Sequence, residues 1–159
     1  MDYDEEMNMN NVEFGDMPPQ AFLLGLLSAF DNRYQAAADA YFKEITWKQL
    51  FAIICINLCK EAPTINELSD VMGSSHQNVK QILLRLEKKG FITTATDEKD
   101  KRKQRILVTD AARAFLEEND NNGKQSRYII GRIFDGVDEQ SLMITIQTIM
   151  RMERNLSKI

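Results

Sequence analysis

Just after Gly73 the chain sets out a dense run of polar side chains: Ser74, Ser75, His76, Gln77, Asn78, Lys80, Gln81 and Arg85. Val79, Ile82, Leu83 and Leu86 recur through the same stretch at helical spacing, so the polar set falls on the outer face of one helix. Gln and Asn carry a donor and an acceptor side by side and pair bidentately with the edge of an adenine, whereas Ser and Lys more often hold phosphate oxygens. Gln77, Asn78 and Gln81 are therefore the candidate base readers. Ser74-x-x-Gln77 has the form of a capping box, and a helix start with unpaired amides favours an anion there. A second polar group, Lys99, Asp100, Lys101, Arg102 and Lys103, sits in the charged segment 97–103.

Other chemistries find little support. His76 is the only histidine, and no carboxylate or nucleophile is spaced to form a triad with it, so the expectation is a protein that is not an enzyme. No metal-ligand spacing is present, and no cofactor is expected. Cys55 and Cys59 are the only cysteines; one helical turn apart they lie too far apart for an easy disulfide and read as small buried hydrophobes.

The elements that must position these residues follow from capping and periodicity. Pro18-Pro19 separates residues 1–17, which hold Asp2, Asp4, Glu5, Glu6, Glu13 and Asp16 and no Lys or Arg, from a first helix marked by Leu23, Leu27, Phe30, Tyr34 and Ala37. The leader lacks the basic region of a signal peptide, and no apolar run approaches the roughly 18 residues that cross a bilayer, so a cytoplasmic protein without a membrane partner is expected. Thr46-x-x-Gln49 opens a second helix to about residue 60, expected to bury Trp47, Leu50, Phe51, Ile54 and Leu58. Thr64-x-x-Glu67 opens a short third helix with Ile65, Leu68 and Val71 inward, stopping at Gly73.

After the polar helix and Gly90, residues 91–96 and 104–108 read as two strands around the charged tip. Thr109-Asp110 caps a further helix. The poor helix formers at 119–123 predict a break, helix resumes through Tyr128, Ile129, Ile133 and Phe134, and Asp138 caps a last helix with a seam of Leu142, Ile146, Ile149 and Leu156.

Charge follows the same division. Residues 74–107 hold nine basic side chains (Lys80, Arg85, Lys88, Lys89, Lys99, Lys101, Arg102, Lys103, Arg105) against four acidic ones (Glu87, Asp97, Glu98, Asp100), a local excess of +5 in a chain of net −4. A basic module in an acidic body is the pattern an electrostatic footprint on a duplex produces. Helix, helix, tight turn, helix, strand, charged hairpin, strand is the order of a winged helix-turn-helix, in which the second helix of the pair lies in the major groove. The fold class expected is mainly α with a small β-hairpin wing, an α+β arrangement.

Glu67-Leu68, Gly73, Val79, Leu83, the run 85–92, Asp97-x-x-Asp100-Lys-Arg102 and Val108-Thr109 resemble the MarR family of bacterial repressors over residues 60–112. The resemblance implies a regulator that binds double-stranded DNA at a pseudo-palindromic operator as a homodimer. Composition makes residues 1–17 an acidic flexible leader, and the resemblance implies a single domain at 18–159, with a winged lobe at 46–110 and dimerisation helices at 18–40 and 111–157. By the same resemblance Arg102 enters the minor groove, Asp100 holds it in position, and Lys99, Lys101 and Lys103 contact phosphates. Members of the family bind small aromatic effectors, and Tyr34, Tyr41, Trp47 and Phe51 are the candidate lining. Ala112 stands where the family commonly has Gly. A winged helix reused as a protein-docking module without DNA is the alternative.

Overall fold

We describe a computed structural model of the chain; the described residues are 16–42, 44–119 and 124–159. Seven helices and one antiparallel hairpin make up the architecture among them: α1 (Pro19–Tyr41), α2 (Trp47–Leu58), α3 (Ile65–Met72), α4 (His76–Lys88), β1 (Ile92–Thr96), β2 (Gln104–Val108), α5 (Asp110–Asn119), α6 (Lys124–Ile133) and α7 (Glu139–Leu156). They form two compact units, one ending at Ala112 and one starting at Arg113. Most of the leader and the Asn-rich segment at 120–123 lie outside the described residues.

Local chemistry sets the starts and stops in the first unit. Thr46 Oγ1 accepts from the Gln49 amide at 3.3 Å while Gln49 Oε1 accepts from the Thr46 amide, so α2 opens on a full capping box. Thr64 and Glu67 repeat the arrangement at α3, with the Thr64 amide donating to Glu67 Oε2 at 2.7 Å. Both α3 and α4 end in a Schellman turn. Gly73 (φ 59°) and Gly90 (φ 72°) take the left-handed conformation, and the next amides, of Ser74 and Phe91, reach back to Ser69 and Leu86 carbonyls.

The α4 cap falls one residue later than the Ser74-x-x-Gln77 pattern predicts. Because the Ser74 amide is already committed to closing α3, Ser75 becomes the extended N-cap, and its hydroxyl accepts from the Asn78 amide at 3.3 Å. Ser74 instead accepts from Asn78 Nδ2 at 2.8 Å, so Asn78 is tied into the first turn from both sides.

The core of this unit is built where α2, α3, α4 and the hairpin meet. Val79, Ile82, Leu83 and Leu86 of α4 are buried as predicted, together with Leu68, Ile92, Ile106, Val108 and Ala112. In α2 the buried side chains are Ala52, Ile53, Cys55 and Ile56 with Gln49, while Leu58 is 73% exposed and Ile54 also faces out. Trp47, Leu50 and Phe51 are half-buried. Apolar residues run all round this helix, so periodicity alone selects no face. Val71 is likewise exposed at 51%, its place taken by Leu68 and Ser69, and in α1 Ala38 rather than Ala37 is buried. Cys55 is buried but Cys59 is only half-buried; it lies one residue past α2 in extended backbone, its thiol donating to the Cys55 carbonyl at 3.2 Å.

The hairpin pairs Ile92 with Val108, Thr94 with Ile106 and Thr96 with Gln104. Its inner residues alternate with outer ones on β2, as a one-sided strand requires. The Ile106 amide donates to the Pro63 carbonyl at 2.9 Å, which fastens the outer edge of β2 to the loop before α3. Thr109 closes the base: its hydroxyl donates to the Gly90 carbonyl at 2.7 Å and accepts from the Ala112 amide at the start of α5.

In the second unit Asp138 caps α7, its carboxylate accepting from the amide and hydroxyl of Ser141. No residue of α7 is buried, and Met143, Ile144, Ile146, Met150 and Leu156 stand exposed. No described helix is long and apolar enough to cross a membrane.

Candidate nucleic-acid interface

The buried stripe of α4 decides what the other face presents. With Val79, Ile82, Leu83 and Leu86 turned into the core, Ser75, His76, Gln77, Asn78, Lys80, Gln81 and Arg85 are all exposed, and Ser74 is half-buried. Lys80 and Arg85 make no ion pair among the described residues. The face is thus a row of uncommitted donors and acceptors, apart from Ser75 and Asn78, which also hold the helix start.

The wing is shaped by one aspartate. Asp97 Oδ1 accepts from the amides of Lys99 and Asp100, both at 2.8 Å, and its other oxygen accepts from Arg105 Nε at 2.6 Å. The Asp97 amide in turn donates to the Lys103 carbonyl, closing the loop. Beyond this knot Asp100 Oδ1 accepts from both the amide and Nε of Arg102, at 3.1 and 3.3 Å. The Arg102 side chain remains 93% exposed. Lys99, Lys101 and Lys103 are exposed as well.

Arg105 has a different task from the other cations. Its side chain is only 23% exposed; besides Asp97 it donates through Nη1 to Glu67 Oε2 at 2.9 Å and to the Ala62 carbonyl at 3.1 Å. Glu67 Oε2 also accepts from the Thr64 amide in the α3 capping box. One guanidinium therefore links the wing root to the first helix of the helix-turn-helix. Reading Arg105 only as surface charge misses this; the sequence gives no sign of a pairing across 38 residues.

This geometry sets the protonation of the wing root. The Asp100 amide foremost, then the Arg105 side chain, hold the Asp97 carboxyl down at about 2, against 3.8 ordinarily. The Thr64 backbone does the same to Glu67, with a smaller part from Arg105. Because Asp97 binds its proton less readily folded than unfolded, its contribution is complete above about pH 4 and is lost as pH falls through about 2. A carboxyl-carbon NMR titration should place the Asp97 midpoint near 2, and Asp97→Asn should lose its destabilising effect toward that pH. A midpoint near 3.8 would contradict the knot.

A cleft of about 300 Å3 opens beside α4, lined by Asp31, Tyr34, Trp47, Phe51, Ser74 and Asn78 among others. Tyr34 meets Trp47 edge-on with ring centres 4.6 Å apart, and Trp47 stacks on Phe51 at 5.7 Å. Burial raises the Tyr34 hydroxyl above its usual value. Tyr41 lies outside this lining and packs edge-on against Phe42. Among the described residues no cluster of His, Cys, Asp and Glu is arranged to hold a metal ion.

Comparison with known proteins bears on these features directly. The model of the MarR family matches residues 45–103, the stretch from the start of α2 to the end of the wing tip. A MarR/EmrR family transcriptional regulator from Acinetobacter sp. ADP1 superposes with a TM-score of 0.75 at 15% identity, over 90% of this chain and 100% of that one. A mutant MarR from E. coli complexed with operator DNA gives 0.70 at 19% identity, over 87% and 99% of the two chains. An organohalide-sensing transcriptional regulator in its 2,4-dichlorophenol-bound form gives 0.74 at 14%, over 92% and 86%. Residues 45–103 thus match the MarR family model, and the chain as a whole shares the winged helix-turn-helix fold of these transcriptional regulators.

Proposed function

We propose that this protein is a sequence-specific DNA-binding transcriptional repressor that works as a homodimer in the cytoplasm and has no catalytic activity. The observation that carries the reading is the face of α4: seven exposed polar residues from Ser75 to Arg85, presented directly after the Gly73 turn. In this role α4 enters the major groove, with Gln77, Asn78 and Gln81 at base edges and Ser74, Ser75, His76, Lys80 and Arg85 on the backbone. Arg102 reaches into the minor groove, where the negative potential is concentrated, flanked by Lys99, Lys101 and Lys103 on phosphates. Support for a duplex partner comes from the relative solved on operator DNA.

Residues 18–159 act as one functional domain in this proposal, with the lobe at 46–110 and the dimer formed by α1 and residues 111–157. The apolar residues that α1 and α7 leave exposed, Leu24, Phe30, Ile144 and Met150 among them, support it, because a soluble monomer rarely keeps such surface uncovered. Two-fold symmetry then calls for half-sites about one helical turn apart.

Selection of bound fragments from random DNA tests the proposal: two related half-sites at that spacing are expected. No enrichment, and no gel-shift band at low salt, would contradict it and favour a protein-docking winged helix. Gln77→Ala should relax preference at one base position by about 1 to 3 kcal/mol; an equal loss on every sequence would remove Gln77 from base reading.

The aromatic cleft is the proposed effector site, in line with the dichlorophenol-bound relative and with the usual size of small-molecule pockets. It shares Ser74 and Asn78 with the start of α4, so an occupant bears on the turn that aims the helix. Trp47 is the only tryptophan. Its fluorescence should change saturably as a chlorophenol is added, and Phe51→Ala should weaken that response; an unchanged signal across the titration would leave the cleft without this role.

A further inference from the structure

We infer that the acidic leader of this chain binds the cationic face of its own α4 and wing, and competes there with DNA. α4 and the wing carry Lys80, Arg85, Lys99, Lys101, Arg102 and Lys103, all exposed. Lys80, Arg85, Lys99 and Lys101 make no ion pair among the described residues, and Arg102 has only the single contact to Asp100. Residues 1–16 carry six carboxylates and no Lys or Arg. The most acidic stretch of the chain is thus tethered to the unit that bears its most basic one.

The tether reaches. The leader ends just before α1, which packs on α2 in the same compact unit as α4 and the wing. A unit of about 100 residues has a radius of gyration near 13 Å and so measures about 35 Å across. A stretch of fifteen residues can span up to about 50 Å, more than that width. At that tether length the effective concentration is on the order of millimolar, so even a weak multi-charge contact is substantially populated.

Occupancy by the leader divides the affinity for any duplex by the fraction of time the face is open, about two- to tenfold at low salt. The effect fades as salt screens both partners. The leader is then a built-in competitor for phosphate, and it leaves base preference unchanged because it covers charge rather than reading sequence.

Two measurements on the full chain decide the point. Without DNA, the amide NMR signals of residues 2–16 should move when Lys99, Lys101, Arg102 and Lys103 are replaced by Gln, and move the same way when wild type is taken to high salt. Leader signals identical in all three samples would overturn the inference. The second measurement rests on the DNA-binding proposal. D2N/D4N/E5Q/E6Q/E13Q should bind a short duplex about two- to tenfold tighter than wild type at roughly 50 mM salt, with the gain gone near 300 mM. E117Q/E118Q/D135N/E139Q/E153Q removes the same charge elsewhere and should gain clearly less; equal gains would reduce the effect to net charge and overturn the docking. A protein that binds no duplex at all would sink the DNA proposal alone, and the NMR comparison would still decide whether the leader docks.

Discussion

Replacing Lys99, Lys101, Arg102 and Lys103 together by Gln is expected to lower duplex affinity by about two to three orders of magnitude near 0.15 M salt for each wing that engages the duplex, and to flatten its salt dependence by about three to four units of slope per wing. Each cation held against the duplex, the three lysines on phosphates and Arg102 in the minor groove, releases close to one counterion, which near that salt is worth roughly fivefold in affinity, so four lost cations multiply to this size for each wing. Folding should be untouched. All four side chains are exposed, and only Arg102 has an ion-pair partner, at 3.3 Å, in Asp100. The variant should therefore melt like wild type in thermal denaturation while failing to retard a duplex. Arg105 is left in place on purpose, since its removal would leave Asp97 and Glu67 without their shared partner and mix a folding defect with a binding one. Unchanged affinity and slope in the four-residue variant would take the wing out of the mechanism.

The second large effect belongs to stability. Leu86 is fully buried on α4, where that helix packs on α2, α3 and β1. Leu86→Ala removes its transfer energy and leaves a cavity, at a cost of about 2 to 5 kcal/mol. For a lobe of this size that is about 10 °C or more in Tm. Leu86→Met keeps the volume and should cost less than about 1.5 kcal/mol. Urea denaturation at constant slope checks both; equal midpoints for wild type and the Ala variant would contradict the packing described for α4. Because α4 carries both the core stripe and the polar face, this loss should reach DNA binding as well.

The parts of this fold legible in the sequence are those decided locally. The Thr46–Gln49 and Thr64–Glu67 boxes close through side chains three residues apart, so the residue types alone announce them. In α4 the apolar stripe is clean, and it fixes by elimination which residues face outward. The helix start at Ser75 is less legible: Ser74 and Ser75 are equally good caps, and the choice falls to the left-handed turn at Gly73, which commits the Ser74 amide to α3. In α2 the apolar residues surround the helix, so burial of Ile53 and Ile56 rather than Ile54 and Leu58 is set by its neighbours.

The same distinction holds at the site. The hairpin's charge was countable from the residues, but which cations stay available depends on tertiary contacts. Arg105 is drawn in by Asp97 and by a carboxylate 38 positions away, whereas Arg102, three residues earlier, stands in solvent. The cleft gathers Tyr34 with Trp47 and Phe51 but not Tyr41, because half-buried aromatics from α1 and α2 meet only once those helices are packed.

In the proposed function α4 and the wing engage one duplex together, and amide NMR mapping of the protein as duplex is added puts this to the test. Signals from residues 74–85 and 97–103 should shift in a single concerted titration that weakens with salt; shifts confined to α7, or shifts in α4 with the wing unmoved, would contradict it.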